Sequence, residues 1–226
     1  MKLAVFDLDG TLIDFDAGCA WVHFLSQVCQ EDLTWAEQMQ AKYLKDYHCG
    51  CLIVQDFIDF QMNLLAHFPR AKLQVWIKRY IRECVEPRIS PKALALVKHY
   101  RDKGYHLLMI TGSQGFISAP IGELFGFDCV KAAYPVVNAQ GEFTGESFGG
   151  LCYAEHKIDR FNDYLAQESV LPEQLEDLVF YTDSVTDLPL MQYVDRLHGT
   201  VVATNADEAL TRQALQHGWQ VKNLFE

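Results

Sequence analysis

The chain has 226 residues, half of them apolar and 22% charged, a balance that excludes a disordered or fibrous protein. Its net charge of −11 argues against a nucleic-acid partner held by simple electrostatics and suits cationic ligands, either metal or amine. The longest uncharged stretch, residues 104–122, contains Thr, Ser, Gln and Pro, so no membrane span is expected. The apolar run at residues 3–6 meets Asp7 too early for a signal peptide. The cysteines are odd in number (seven), scattered and without a C-x-x-C pair, which predicts a reduced, cytoplasmic protein with buried thiols. The length predicts one domain with a large insertion, or two small domains.

In chain order, residues 3–6 read as a parallel strand buried on both faces. From residue 15 to 87 glycine nearly vanishes. Apolar residues there recur at helical spacing (Trp21, Phe24, Leu25, Val28; Phe57, Ile58, Met62, Leu65; Val75, Trp76, Tyr80, Ile81), predicting three or four helices. Breaks are expected near Asp32, Cys49-Gly50-Cys51 and Pro69. Beyond Pro91, helix and strand alternate. Helices are predicted at 92–103, 116–125, 157–167, 188 onward and 208–217; strands at 106–110, 127–133, 178–181, 200–203 and 219–221; and a hairpin at 135–148 turning about Asn138-Ala139-Gln140-Gly141. The alternation predicts a doubly wound, Rossmann-like parallel α/β sheet, with residues 1–14 and 88–226 as its core and 15–87 as an inserted all-helical cap.

In such sheets the site lies beyond the carboxyl ends of the strands. Those ends carry Asp7-Leu8-Asp9-Gly10-Thr11, Thr111-Gly112-Ser113 and Asp183-Ser184-Val185-Thr186-Asp187, while Lys157 stands at a helix start. Four clustered carboxylates repel one another unless a hard cation sits among them, and oxygen-only ligation suits Mg²⁺ beside a substrate phosphate. Thr111 and the N–H groups after it can hold phosphate oxygens, and Lys157 offsets the phosphate charge. Asp7 and Asp9 share one side of an extended chain, and Gly10 allows a sharp turn. One of the two aspartates can then attack phosphorus while the other handles the proton.

With these motifs in this order, the chain resembles a haloacid dehalogenase superfamily phosphatase of the phosphoserine-phosphatase-like branch, which inserts a helical cap between its first and second motifs. The stretches 111–117 and 181–190 further resemble a bacterial subgroup described as histidinol-phosphatase-like. The resemblance implies that Asp7 is a nucleophile forming an aspartyl-phosphate and that Asp9 is the general acid, then the base. It implies Mg²⁺ on the Asp7 carboxylate, the Asp9 carbonyl and Asp183, phosphate on Thr111, Gly112, Ser113 and Lys157, and a supporting role for Asp187. Thr182 stands where the family usually has Gly, and Thr186 where it commonly has Asn.

The expected activity is Mg²⁺-dependent hydrolysis of a small, soluble phosphate ester, with histidinol phosphate or another amine-bearing phosphate first and phosphoserine second. A phosphotransferase or mutase, and a non-catalytic binding protein, are the rivals. Asp14 and Asp16 lie where the cap hinge should enter the site, so Asp16 either sits in a solvated turn or reads a cationic leaving group. His48, Cys49 and Cys51 lack the spacing of a structural zinc site and are expected as buried thiols near a turn. Trp21, Trp76, Phe57 and Phe60 are expected in the cap core.

Overall fold

The computed structural model describes residues 1–225. Strand β1 (Lys2–Phe6) is buried from its second residue on. Four helices follow without an intervening strand: α1 (Ala17–Val28), α2 (Thr34–His48), α3 (Val54–Ala66) and α4 (Arg70–Tyr80). The expected breaks each have a local cause. Asp16 caps α1 by accepting from the Cys19 N–H at 2.6 Å. Asp32 accepts from the Thr34 N–H at 2.9 Å, and Pro69 precedes α4. A π turn at Ile81–Val85 and a 3₁₀ turn at Glu86–Arg88 lead out of this helical insertion.

The chain then alternates: α5 (Pro91–Asp102), β2 (His106–Ile110), α6 (Gly115–Phe125) and β3 (Cys129–Lys131). After a hairpin of β4 (Tyr134–Val137) and β5 (Phe143–Phe148) come α7 (His156–Gln167), β6 (Asp177–Thr182), α8 (Leu188–Arg196), β7 (Thr200–Thr204), α9 (Glu208–His217) and β8 (Gln220–Lys222). The main sheet runs β3-β2-β1-β6-β7-β8 with every pairing parallel. Strand β1 pairs with β2 on one side (Phe6 with Met109) and with β6 on the other (Phe6 with Tyr181). The strand order reverses there, which opens the crevice where ligands bind in doubly wound sheets.

Each sheet face has its own apolar layer. Leu3 and Val5 pack with Phe161, Leu190 and Leu210, and so against α7, α8 and α9. Ala4 and Phe6 belong to a cluster that holds Leu96 and Ile121 and continues into Trp21, Leu25, Leu65 and Tyr80. The helical insertion therefore shares its core with one face of the sheet. The hairpin leans on it too: Arg70 donates to the Gly141 carbonyl at 3.2 Å and its N–H to the Glu142 carboxylate at 2.7 Å. No described helix is long and apolar enough to cross a membrane.

One expectation is corrected. Cys49 and Cys51 are exposed and bonded to each other, not buried thiols. Gly50 between them takes φ +70° in the left-handed region, which turns the chain back so that the two Cα atoms stand 5.5 Å apart.

Candidate active site

Asp7 directly follows β1, and its N–H donates to the Tyr181 carbonyl of β6 at 2.9 Å, so the sheet itself fixes its backbone. Lys157, in the first turn of α7, donates to Asp7 Oδ1 at 2.8 Å and to Asp187 Oδ2 at 2.7 Å. All three side chains are under 10% exposed. Thr182 at the end of β6 donates to the same Asp187 oxygen at 2.7 Å and accepts from the Ser184 N–H at 3.2 Å. The hydroxyl at the position where glycine is usual thus orients Asp187. Burial works against the Lys157 charge, but Asp187 and Asp7 outweigh it and hold the ammonium more firmly than in an ordinary lysine. Burial raises the Asp7 carboxyl to about 6, opposed by Lys157.

Asp9 is held differently. Its Oδ1 accepts from the Ala17 N–H at 2.7 Å, at the amino end of α1. Its Oδ2 accepts from the Ser113 hydroxyl at 2.7 Å, with the Thr111 hydroxyl at 3.4 Å. Burial first, then the charge of Asp16, push its carboxyl well above the ordinary range. Asp9, accepting on both oxygens, thus stands two residues beyond the carboxylate that pairs with Lys157.

Asp183, after β6, accepts from the Thr11 hydroxyl at 2.9 Å and returns its N–H to the same oxygen at 2.9 Å. Gly10, at φ +72°, is required here, because a Cβ would collide with the Asp183 carboxylate. Burial, then the charge of Asp7, raise Asp183 to about 7. A carboxylate burdened in this way by its neighbour's charge fits a divalent cation such as Mg²⁺ beside it. Asn205, after β7 and at φ +51°, donates to the Gly10 and Thr11 carbonyls at 2.7 and 3.1 Å and pins this loop.

The four carboxylates expected around one cation each have partners within the protein. Among the described residues, the group of three side-chain ligands lying within 4.8 Å of one another is Asp46, Cys49 and Cys51, two of them joined in a disulfide. The carboxylate of Asp9 is turned to α1 and Ser113, and that of Asp187 to Lys157 and Thr182. Asp7 pairs with Lys157 and Asp183 accepts from Thr11, and both line the cleft.

Above this floor lies a cavity of about 400 Å³ roofed by the helical insertion. Asp7, Asp9, Asp16, Gly112, Ser113, Lys157 and Asp183 line it. Thr111 and Asp187 do not; both are closed off behind it. Thr111 accepts from the Ser113 N–H at 3.0 Å and so shapes the loop. Asp16 serves twice, as the cap of α1 through Oδ1 and as part of the wall. Phe57 lines the cleft, whereas Trp21 and Phe60 lie in the apolar core and Trp76 packs against it.

The roof contains residues that the sequence did not single out: Gln40, Tyr43 and Tyr47 from α2 and Gln61 from α3. Gln40 and Gln61 are buried, and each has an amide oxygen without a partner. Among the described residues no arginine lines the cleft. Arg79 and Arg82 pair with Glu83, Arg70 reaches the hairpin, and Arg88 pairs with Asp14 at 2.9 Å.

A parallel sheet with an aspartate and a buried lysine at its switch point defines a doubly wound α/β protein with a carboxylate-based site. The chain belongs to the haloacid dehalogenase-like hydrolases, whose family profile matches residues 4–192, and it is a phosphatase of that superfamily. It is 33% identical over 222 residues to a histidinol-phosphatase of Neisseria meningitidis serogroup C, covering 98% of both chains. A solved structure of a protein with unknown function from Bordetella pertussis Tohama I has a TM-score of 0.91 at 29% identity, with 99% of each chain covered. A phosphoserine phosphatase solved as a phospho-aspartyl intermediate analogue shares the fold at a TM-score of 0.66 and 20% identity, over 98% of this chain and 92% of that one.

Proposed function

We propose that the chain hydrolyses a small phosphate monoester through a phosphoryl group carried transiently on Asp7. One Asp7 oxygen is held by Lys157, which leaves the other to attack phosphorus. The Lys157 ammonium and the N–H of Gly112, which lines the cleft, offset the charge that builds on the phosphoryl oxygens. Protonated Asp9 donates to the departing alkoxide and, once ionised, accepts a proton from the water that attacks the Asp7 phosphate. Ser113 and the Ala17 N–H keep that carboxyl aimed through both steps, Thr111 fixes the Ser113 loop, and Asp187 holds Lys157 in place. When bound, Mg²⁺ would be held by Asp7, the Asp9 carbonyl and Asp183, and would neutralise part of the phosphate dianion. The helical cap, with borders proposed at residues 15 and 87, screens this chemistry from bulk water.

The leaving group is proposed to carry a cationic nitrogen, with L-histidinol phosphate as the first candidate. One observation carries this choice. The wall offers the carboxylate of Asp16 and two glutamine amides but no arginine; Asp14 is taken by Arg88 and Lys157 by two carboxylates, and His48 is the other basic side chain lining it. A substrate carboxylate would find no arginine or free lysine there, whereas an ammonium or imidazolium would find the Asp16 carboxylate. The kinship with the Neisseria histidinol-phosphatase supports the same choice. The test is a phosphate-release screen with Mg²⁺ over L-histidinol phosphate, phosphoserine, thiamine phosphate and p-nitrophenyl phosphate, with alcohol acceptors added to detect phosphoryl transfer. The highest kcat/KM is expected for L-histidinol phosphate. A preference for phosphoserine would overturn the assignment of the leaving group.

A further inference from the structure

Tyr47 sits in the last turn of α2, and its hydroxyl meets the Ser184 hydroxyl of the β6–α8 loop at 2.8 Å. Ser184 also joins the Thr186 hydroxyl at 2.8 Å and accepts from the Thr186 N–H at 3.2 Å. The Ser184 N–H rests on Thr182, whose hydroxyl holds Asp187. A continuous path therefore runs from the helical cap through Tyr47, Ser184, Thr182, Asp187 and Lys157 to Asp7. The Tyr47 ring also packs edge-on to Tyr153, in the loop that leads to Lys157, with centroids 6.1 Å apart. Burial keeps the proton on the Tyr47 hydroxyl, so it remains a donor at neutral pH.

Resting on the phosphatase reading above, we infer that Tyr47 is a positioning residue that latches the helical cap onto the Ser184 loop, so that the cleft closes as the Asp183–Asp187 segment becomes ordered. The two threonines that depart from the family's usual residues, Thr182 and Thr186, then have one purpose. They supply the hydroxyls that let this loop feel the cap. A loop built with glycine and asparagine at these positions lacks both hydroxyls.

The test combines kinetics with hydrogen exchange on the full chain. Tyr47→Phe removes one oxygen and keeps the ring against Tyr153. It is expected to raise KM for L-histidinol phosphate about three- to tenfold, the worth of one net hydrogen bond, with a smaller fall in kcat. Ser184→Ala should act alike, and the double variant should be no worse than the worse single. In Tyr47→Phe, which keeps the ring packing, amide exchange should quicken both in residues 44–51 and in the segment 183–187, far away in sequence but joined to Tyr47 through Ser184. Fold-changes that multiply in the double variant, or exchange in 183–187 that stays at the wild-type rate, would overturn the latch. If the wild-type chain turns over none of the esters, the functional reading fails on its own, and the exchange measurement still decides the latch.

Discussion

Replacing Lys157 by methionine keeps a stem of similar length and removes the charge. The side chain is 5% exposed and lies between Asp7 at 9% and Asp187 at 1%, so solvent cannot take over its role. Breaking a buried pair by deleting one partner costs about 3–5 kcal/mol. In a chain of this size each kcal/mol lowers Tm by about 2–4 °C, so Lys157→Met should melt about 6–20 °C below wild type at neutral pH. The deficit should depend on pH. The Asp7 carboxyl is already raised to about 6 with Lys157 holding it down, and loss of the lysine raises it further. A carboxyl whose folded pKa lies above its unfolded value binds more protons in the folded state, so stability is lost as pH rises and regained as it falls. Thermal melts by circular dichroism at about pH 5 and about pH 8 read both effects. A second substitution, Asp187→Asn, should restore part of the Tm without restoring turnover. A loss below about 2 °C, or a deficit of equal size at both pH values, would refute the reasoning.

Asp16→Asn keeps an acceptor for the Cys19 N–H and removes the charge; it should raise KM for L-histidinol phosphate about ten- to a hundredfold, and more than for p-nitrophenyl phosphate. Equal changes with both substrates would remove Asp16 from recognition. Asp9→Asn should slow formation of the phosphorylated enzyme from an alkyl phosphate far more than from p-nitrophenyl phosphate, whose leaving group departs unprotonated, and rapid-quench kinetics separates the two. Chelation should abolish turnover and Mg²⁺ should restore it. Because Asp183 lies near 7 and Asp7 near 6 without a cation, protons compete with Mg²⁺, so the rise in Tm on adding Mg²⁺ should grow from about pH 5 to about pH 8. An increment that is the same at every pH would contradict the ligand assignment.

The floor of the site was legible in the sequence because strand ends impose order. An apolar run such as residues 3–6 must become polar where the sheet ends, and Asp7, Thr111 and Asp183 stand at those transitions. The helical insertion was legible from its spacing and its lack of glycine. The roof was not. Gln40 and Tyr47 lie on α2, whose mixed polar surface reads as a solvent face until α2 and α3 are seen to close over the cleft. Spacing also concealed which donor each carboxylate would find: Asp9 turns to the Ala17 N–H eight residues on. The Cys49–Cys51 bond depends on a left-handed Gly50, a backbone state that composition does not carry.

The central claim is that Asp7 carries the phosphoryl group. Borohydride reduces an acyl phosphate to the alcohol, so quenching a single turnover of L-histidinol phosphate or p-nitrophenyl phosphate in borohydride should convert Asp7 to homoserine. Peptide mass spectrometry should find that residue at position 7 and nowhere else, and should find none in Asp7→Asn. Turnover with no reduced residue, or with one at Asp9 or Asp183, would contradict the account.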